Sequence, residues 1–230
     1  LLEKGEQVAI GTAIIKNILG VDKATIAIED NKPEAIKHMN EVLAGLRKLS
    51  SKYAGISVMS LMKKYPEGGE KQLIDAVMHR QVASGGLPID VGAVVQNVAT
   101  ALAVYDAVQK NKPIVDNSVT VTGECFPKQA NLLVRVGTPL QYIIDYLGGM
   151  PADAVKVISG GPMMGKAIAN LDAATLKGTS ALLFLTAKQT ARGKEGNCIR
   201  CGKCAEACPM GLEPFLLNRL SRAGGMLDAL

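Results

Sequence analysis

The chain has no tryptophan, and only three phenylalanines and five tyrosines among its 230 residues. So few aromatic faces offer little on which nucleic-acid bases could stack, which argues against a single-strand binding platform. Long apolar runs are missing as well. Nothing approaches the ~18 residues that a membrane span requires, and no charged leader runs into an apolar stretch as in a secretory signal. Neither charge sign dominates: 26 Lys and Arg face 21 Asp and Glu, leaving +5. Except near the tail, these charges are dispersed rather than gathered into a basic stripe, unlike a nucleic-acid footprint. Cysteine is nearly absent upstream of residue 198, where Cys125 stands alone. An odd total with four members packed together does not fit a secreted disulfide framework and points to a reducing compartment.

What remains is a chain that is 48% hydrophobic and long enough for a core in one or two domains. Val8, Ile10, Ala13, Ile14, Ile15 and Ile18 recur at helical spacing, and Gly20 closes that segment. Ala24–Ile28 reads as a short buried strand. Asn31 is the expected cap for a helix entered at Pro33, with Ile36, Met39, Leu43, Leu46 and Leu49 on one face to about Lys52. Ile56, Val58 and Leu61 alternate as in a strand. Helix, strand, helix, strand is the order of a parallel α/β layer. A loop with Pro66 and paired glycines follows, then a helix over about Glu70 to Arg80, a second loop, and a long helical pattern from Val91 to Lys110.

The texture changes after Pro113. Two β-branched, alternating segments, Ser118–Gly123 and Asn131–Val136, flank a turn that contains Cys125. Thr138 and Pro139 are the expected cap and first residue of a short helix to Leu147. Strands are expected at Val155–Ile158 and Ser180–Thr186. The first and last residues read as the ends of a fragment. Boundaries near 114 and 187 divide the chain into an α/β part over 1–113, an α+β module over 114–186 and a cysteine segment over 187–230.

That last segment carries Cys198, Cys201, Cys204 and Cys208, separated by two, two and three residues and followed by Pro209. This is the ligand spacing of a 4Fe–4S cluster run. Thiolates at such short gaps can surround one iron–sulfur cube from a single tight loop, whose backbone N–H groups hydrogen-bond the sulfurs. Gly202 relaxes the turn and Pro209 fixes the exit. Zinc is the rival reading, but zinc sites pair their cysteines across a long spacer. Either the four thiols close one cluster, or Cys208 serves a second cluster whose other ligands come from a run outside this chain, as in two-cluster proteins. Lys188, Arg192, Lys194, Arg200 and Lys203 surround the run. They read equally as a solvated surface or as cations that raise the cluster's potential. Cys125 reads as a small buried hydrophobe, and His38 and His79 as surface helix residues without chemistry. No GxGxxG occurs, so the residues alone do not name a ligand for the α/β part.

Several stretches together carry a resemblance: Ile28-Glu-Asp-Asn-Lys-Pro-Glu-Ala35, Tyr65-Pro-Glu-Gly-Gly-Glu70, Val95-Gln-Asn-Val-Ala-Thr100, Val119-Thr-Val-Thr-Gly123, Gly160-Gly-Pro-Met-Met-Gly165, and the cysteine run through Gly211. In this order they resemble the C-subunit of the Rnf electron-transport complexes over nearly the whole chain. More distantly they are similar to the flavin- and NADH-binding subunit of respiratory complex I. The resemblance implies a partial flavin/NADH-binding α/β domain, a β-grasp domain of the soluble-ligand-binding type, and a helical ferredoxin-like segment. It further implies FMN, NAD(H) and two 4Fe–4S clusters in the intact protein. The implied role is peripheral: ferredoxin:NAD oxidoreductase chemistry at the cytoplasmic face of a membrane ion-translocating complex, among other subunits that include a ferredoxin-like cluster protein.

For the flavin and nucleotide, the resemblance implies Tyr65, Gly68, Gly69 and Glu70 on one loop and Asn97 and Thr100 on a second segment. Gly69 stands where relatives of complex I carry a first Glu, and Gln96 and Ala99 also depart from their pattern, so about half of a flavin site is expected here. A cobalamin reductase of bacterial microcompartments shares this domain order and is an alternative. A non-catalytic electron-carrying docking subunit is another.

Overall fold

The first helix, α1 (Gly5–Ile18), forms where the sequence pattern places it, and it packs tightly because two of its buried positions lack side chains. At Gly5 an added Cβ would lie 2.9 Å from the ring of His38, and at Gly11 only 1.9 Å from the carbonyl oxygen of Ala101. The computed structural model describes residues 1–66, 68–126, 128–191, 193 and 196–224. Leu1–Thr190 form one compact unit and the chain from Ala191 a second.

In the first unit α1 is followed by β1 (Ala24–Glu29), α2 (Pro33–Leu49), β2 (Ile56–Leu61), α3 (Glu70–Met78) and α4 (Val98–Lys110). β1 and β2 pair in parallel, Ala24 opposite Ile56 and Glu29 opposite Leu61. The crossover helix α2 turns Ala35, Met39, Leu43 and Leu46 toward Ile26, Ile28 and Ile56 of the sheet, with Ala9 of α1 in the same core. The Arg47 guanidinium donates to the Ile56 carbonyl and so ties the helix to the strand.

The start of α4 departs from the sequence expectation. The apolar pattern from Val91 predicts a helix there, but Gly92 is left-handed (φ 69°) and the helix begins only at Val98. Asn97 supplies the cap, its side-chain oxygen accepting from the Ala99 N–H at 2.9 Å. Two expected caps are also corrected. Lys32, not Asn31, precedes α2, without a side-chain cap. Pro139, not Thr138, precedes the next helix, and the N–H groups of Leu140 and Gln141 that a Thr138 side chain would cap donate instead to the carbonyls of Ala173 and Leu171, at 3.0 and 2.9 Å. The helix expected to reach Lys52 ends at Leu49, and Ser51–Tyr53 form a single 3-10 turn.

The second half of this unit is a five-stranded mixed sheet. Its strands are β3 (Asp116–Thr122), β4 (Ala130–Arg135), β5 (Ala154–Ser159), β6 (Lys166–Ile168) and β7 (Ala181–Thr186), in the order β4-β3-β7-β5-β6. β3 and β4 form an antiparallel hairpin, and β3 also runs parallel to β7. α5 (Leu140–Tyr146) crosses between hairpin and return strands and buries Leu140, Ile143 and Ile144 against Val119, Val121, Leu182 and Phe184. A hairpin, a crossing helix and a parallel central pair make the β-grasp fold. Phe126 and Phe184 meet at a centroid distance of 4.7 Å inside it. Gly123 lets the backbone pass: a Cβ there would lie 2.3 Å from the Phe184 carbonyl oxygen. The buried Thr175 hydroxyl donates to the Arg135 carbonyl at 2.9 Å, pinning the long segment that leads to β7. β6 has three residues and no clear alternation, and the sequence pattern did not announce it.

The first unit ends in α6 (Ala187–Thr190). The second contains α7 (Lys203–Glu206) and α8 (Pro214–Arg222). Gly11→Val should force α1 away from α4 and lower stability by about 1–3 kcal/mol, the usual cost of overpacking. Urea unfolding followed by circular dichroism checks this, with the α-helical signal lost at lower denaturant than in the wild type.

Candidate functional site

The cysteine run folds as an irregular loop that leads into α7. Cys198, Cys201 and Cys204 are exposed, Cys208 is half-buried, and none is in a disulfide. Cys204 lies in the first turn of α7, behind Gly202, which is left-handed (φ 75°). The Cys208 N–H donates to the Ala205 carbonyl at 3.1 Å. Arg200 is also left-handed (φ 56°), so Cys201 sits between two such residues. From Asn197 through Cys204, no backbone N–H is hydrogen-bonded to another described residue. Left-handed residues interspersed with others are how a chain turns successive N–H groups into an anion-binding concavity. No three of the thiols converge on a common point: among the described residues no group of three or more His, Cys, Asp or Glu is set to hold a metal ion.

The donor set nonetheless fits a 4Fe–4S cluster. Its four thiols are accessible and unbridged, its N–H groups are unspent, and a cluster ligated by four thiolates is an anion that uses both. Arg192 and Lys194 of the cationic surround lie outside the described residues. Cys125 behaves differently. It packs partly buried against the β-grasp core, and burial, reinforced by the nearby Asp153 charge, pushes its thiol above the ordinary range.

The residues implied for flavin fall in two places. Tyr65, Gly68 and Gly69 lie between β2 and α3, and Glu70 is the first residue of α3. Tyr65 and Gly68 are exposed, Gly69 caps α3, and Glu70 opens its first turn with an exposed carboxylate. The Gly69 N–H donates to the Pro66 carbonyl at 2.7 Å. A Cβ on Gly69 would meet the end of the Gln72 side chain at 2.4 Å and the Pro66 oxygen at 3.1 Å, so a larger residue there would have to displace the Gln72 amide. Asn97 and Thr100 sit at the start of α4, with the Thr100 N–H donating to the Asn97 carbonyl at 2.9 Å. No hydrogen bond, ion pair or ring contact joins the two places among the described residues. Both are helix N-termini, where partial positive charge favours an anionic ligand. With Asn97 Oδ1 spent on the cap, its amide N–H groups are what it can offer a ligand. These exposed polar groups fit one edge of a flavin site. The cap was missed by the sequence pattern because the valines before it read as continuous helix.

Three family models match in series. Residues 1–106 match the Nuo51 FMN-binding domain, 118–167 the SLBB domain, and 194–212 a 4Fe-4S binding domain. The chain is 46% identical over 222 residues to the C-subunit of the proton-translocating ferredoxin:NAD(+) oxidoreductase complex of Clostridium ljungdahlii, covering 96% of this chain and 47% of that protein. The chain is a relative of that C-subunit. It is also 39% identical over 227 residues to the C-subunit of the ion-translocating oxidoreductase complex of Rhodobacter capsulatus, covering 99% of this chain and 43% of that one. The C-subunit of the Na(+)-translocating ferredoxin:NAD(+) oxidoreductase complex of Acetobacterium woodii is 37% identical over 222 residues, with coverages of 96% and 48%. The chain thus spans about half the length of these relatives. Among solved structures, the NAD+-reducing [NiFe]-hydrogenase in its H2-reduced state superposes with a TM-score of 0.62 at 16% identity, over 80% of this chain and 36% of that chain. That likeness concerns the fold.

Substitutions at two positions probe these places. Cys201→Ala should remove most of the iron and acid-labile sulfide bound after anaerobic purification, read by metal and sulfide analysis. Iron content equal to the wild type would remove Cys201 from the ligand set. Asn97→Ala should cost about 1 kcal/mol through loss of the α4 cap, whereas Asn97→Asp should keep most of it, both read by urea unfolding.

Proposed function

We propose that this chain is the NAD(H)-side part of a peripheral redox subunit that passes electrons between ferredoxin and NAD within a membrane ion-translocating complex. The observation that carries the reading is the order of parts in one chain. An FMN-binding-type α/β fold, a β-grasp module and a four-cysteine run follow one another in a chain related to the C-subunit of a ferredoxin:NAD(+) oxidoreductase complex. No helix among the described residues is long and apolar enough to cross a membrane. Peripheral attachment through other subunits, the cytoplasmic face, contact with a ferredoxin-like cluster subunit and a division near residues 114 and 187 belong to the same reading.

In it, FMN supplies the change from two-electron hydride chemistry with NAD(H) to one-electron chemistry, and a 4Fe–4S cluster carries the single electrons. The chain's own residues position these groups. Glu70, exposed at the first turn of α3, is a carboxylate acceptor for the N–H and hydroxyl donors of a dinucleotide. Gly68 leaves open space around the loop backbone, with nothing within 4 Å of where a Cβ would stand, so a flat ligand can approach. Tyr65, 70% exposed, offers a ring face beside it. Asn97 and Thr100 supply an amide and a hydroxyl from the start of α4. Cys198, Cys201, Cys204 and Cys208 hold iron as thiolates, and Cys208 either completes that cluster or ligates a second one in the intact protein.

Glu70→Gln should slow NADH oxidation by the anaerobically purified complex several-fold while leaving its iron and sulfide content unchanged. Equal losses of both would make Glu70 a structural residue. Absence of FMN from the denatured wild-type protein would refute the flavin part of the reading.

A further inference from the structure

Three described residues other than glycine adopt a left-handed backbone: His79, Asn111 and Arg200. The first two need no special account. His79 ends α3 and Asn111 ends α4, and a left-handed residue is the common way for a helix to stop. Arg200 ends no helix. It stands between two cysteines of the run, at φ 56°, two residues before a glycine that takes the same region at φ 75°. Glycine would adopt this conformation freely, whereas an L side chain meets its own carbonyl there. Nothing within the described chain compensates the arginine. Its side chain is exposed, and among the described residues it forms no ion pair or hydrogen bond. A permanently charged side chain is therefore held in a disfavoured conformation, without a partner among those residues, in the middle of four thiols.

Resting on the reading of Cys198–Cys208 as cluster ligands, we propose that Arg200 is a potential-setting residue: its fixed positive charge, placed within the ligand loop, makes the cluster easier to reduce. One-electron reduction adds one negative charge to the cluster and breaks no bond, so a nearby cation stabilises the reduced state relative to the oxidised one. Guanidinium suits this role because it stays charged at any working pH. Lys203 shares the loop, but it lies inside α7 in an ordinary helical conformation. The backbone geometry singles out Arg200. Because the side chain is exposed, its influence is screened by salt.

The test is a redox titration of the anaerobically purified protein, followed by electron paramagnetic resonance of the reduced cluster, with iron and sulfide measured in parallel. Arg200→Gln keeps a long side chain and the backbone penalty but removes the charge, and Arg200→Lys keeps both penalty and charge. The expected result is a more negative midpoint potential for Arg200→Gln, a value close to the wild type for Arg200→Lys, and a difference that shrinks as salt rises toward about 1 M. An unchanged potential in an iron-loaded Arg200→Gln protein overturns the proposal while leaving the cluster reading intact. Equal shifts in the Gln and Lys variants also overturn it, because shape rather than charge would then be at work. A wild-type protein that binds no iron overturns the cluster reading and this proposal together.

Discussion

Four thiols within eleven residues impose a constraint on everything around them. Ionised together in one loop they repel each other, and exposed to an oxidant they cross-link. A metal core resolves both problems, by sharing the negative charge and occupying the sulfurs, and the gaps of two, two and three residues are those of a 4Fe–4S cluster run rather than of a zinc site. The loop is built for such a core in ways that the cysteines alone do not require. Its N–H groups are unspent, left-handed residues sit on both sides of Cys201, and α7 starts in the middle of the run so that Cys204 is held by helical backbone.

An iron–sulfur centre that exchanges single electrons needs a donor and an acceptor, and in the proposed function the α/β part supplies the surface for one of them. Its tight helix contact at Gly11 and Ala101 fixes α1 against α4, and therefore fixes where the capped start of α4 is presented. α3 presents Gly69 and Glu70 in the same manner, at a helix N-terminus exposed to solvent. Polar groups at helix starts have their positions set by backbone hydrogen bonds rather than by flexible loops, which is what positioning a flat, charged cofactor demands. Among the described residues, the β-grasp module offers no comparable group of reactive side chains. Its polar side chains serve mainly the sheet, as in the cross-strand pairs of Thr120 with Asn131 and Thr122 with Gln129.

Much of this architecture could be read from the sequence where periodicity was strong and unopposed. The α1, β1, α2, β2 order followed from 3.6-residue and alternating patterns, and the hairpin of β3 and β4 from β-branched alternation around a turn. Misreadings arose where a local backbone requirement overrode the pattern. Valines 94 and 95 look helical, but the left-handed Gly92 and the capping oxygen of Asn97 delay α4. Thr138 looks like a cap, but the N–H groups it would serve, those of Leu140 and Gln141, are taken by the carbonyls of Ala173 and Leu171. β6 is too short to show a period. The cysteine spacing was legible at once, since ligand geometry is encoded in three small integers. The left-handed backbone at Arg200 was not, because nothing in the residue type announces it.

The central claim is that iron, bridged by sulfide, occupies the Cys198–Cys208 loop. X-ray absorption of the anaerobically purified protein tests it most directly. The account predicts an iron edge with a first shell of sulfur and a second shell of neighbouring iron, both lost when the four cysteines are replaced. Zinc in a sulfur shell without an iron signal, or an iron signal that survives those replacements, would contradict it.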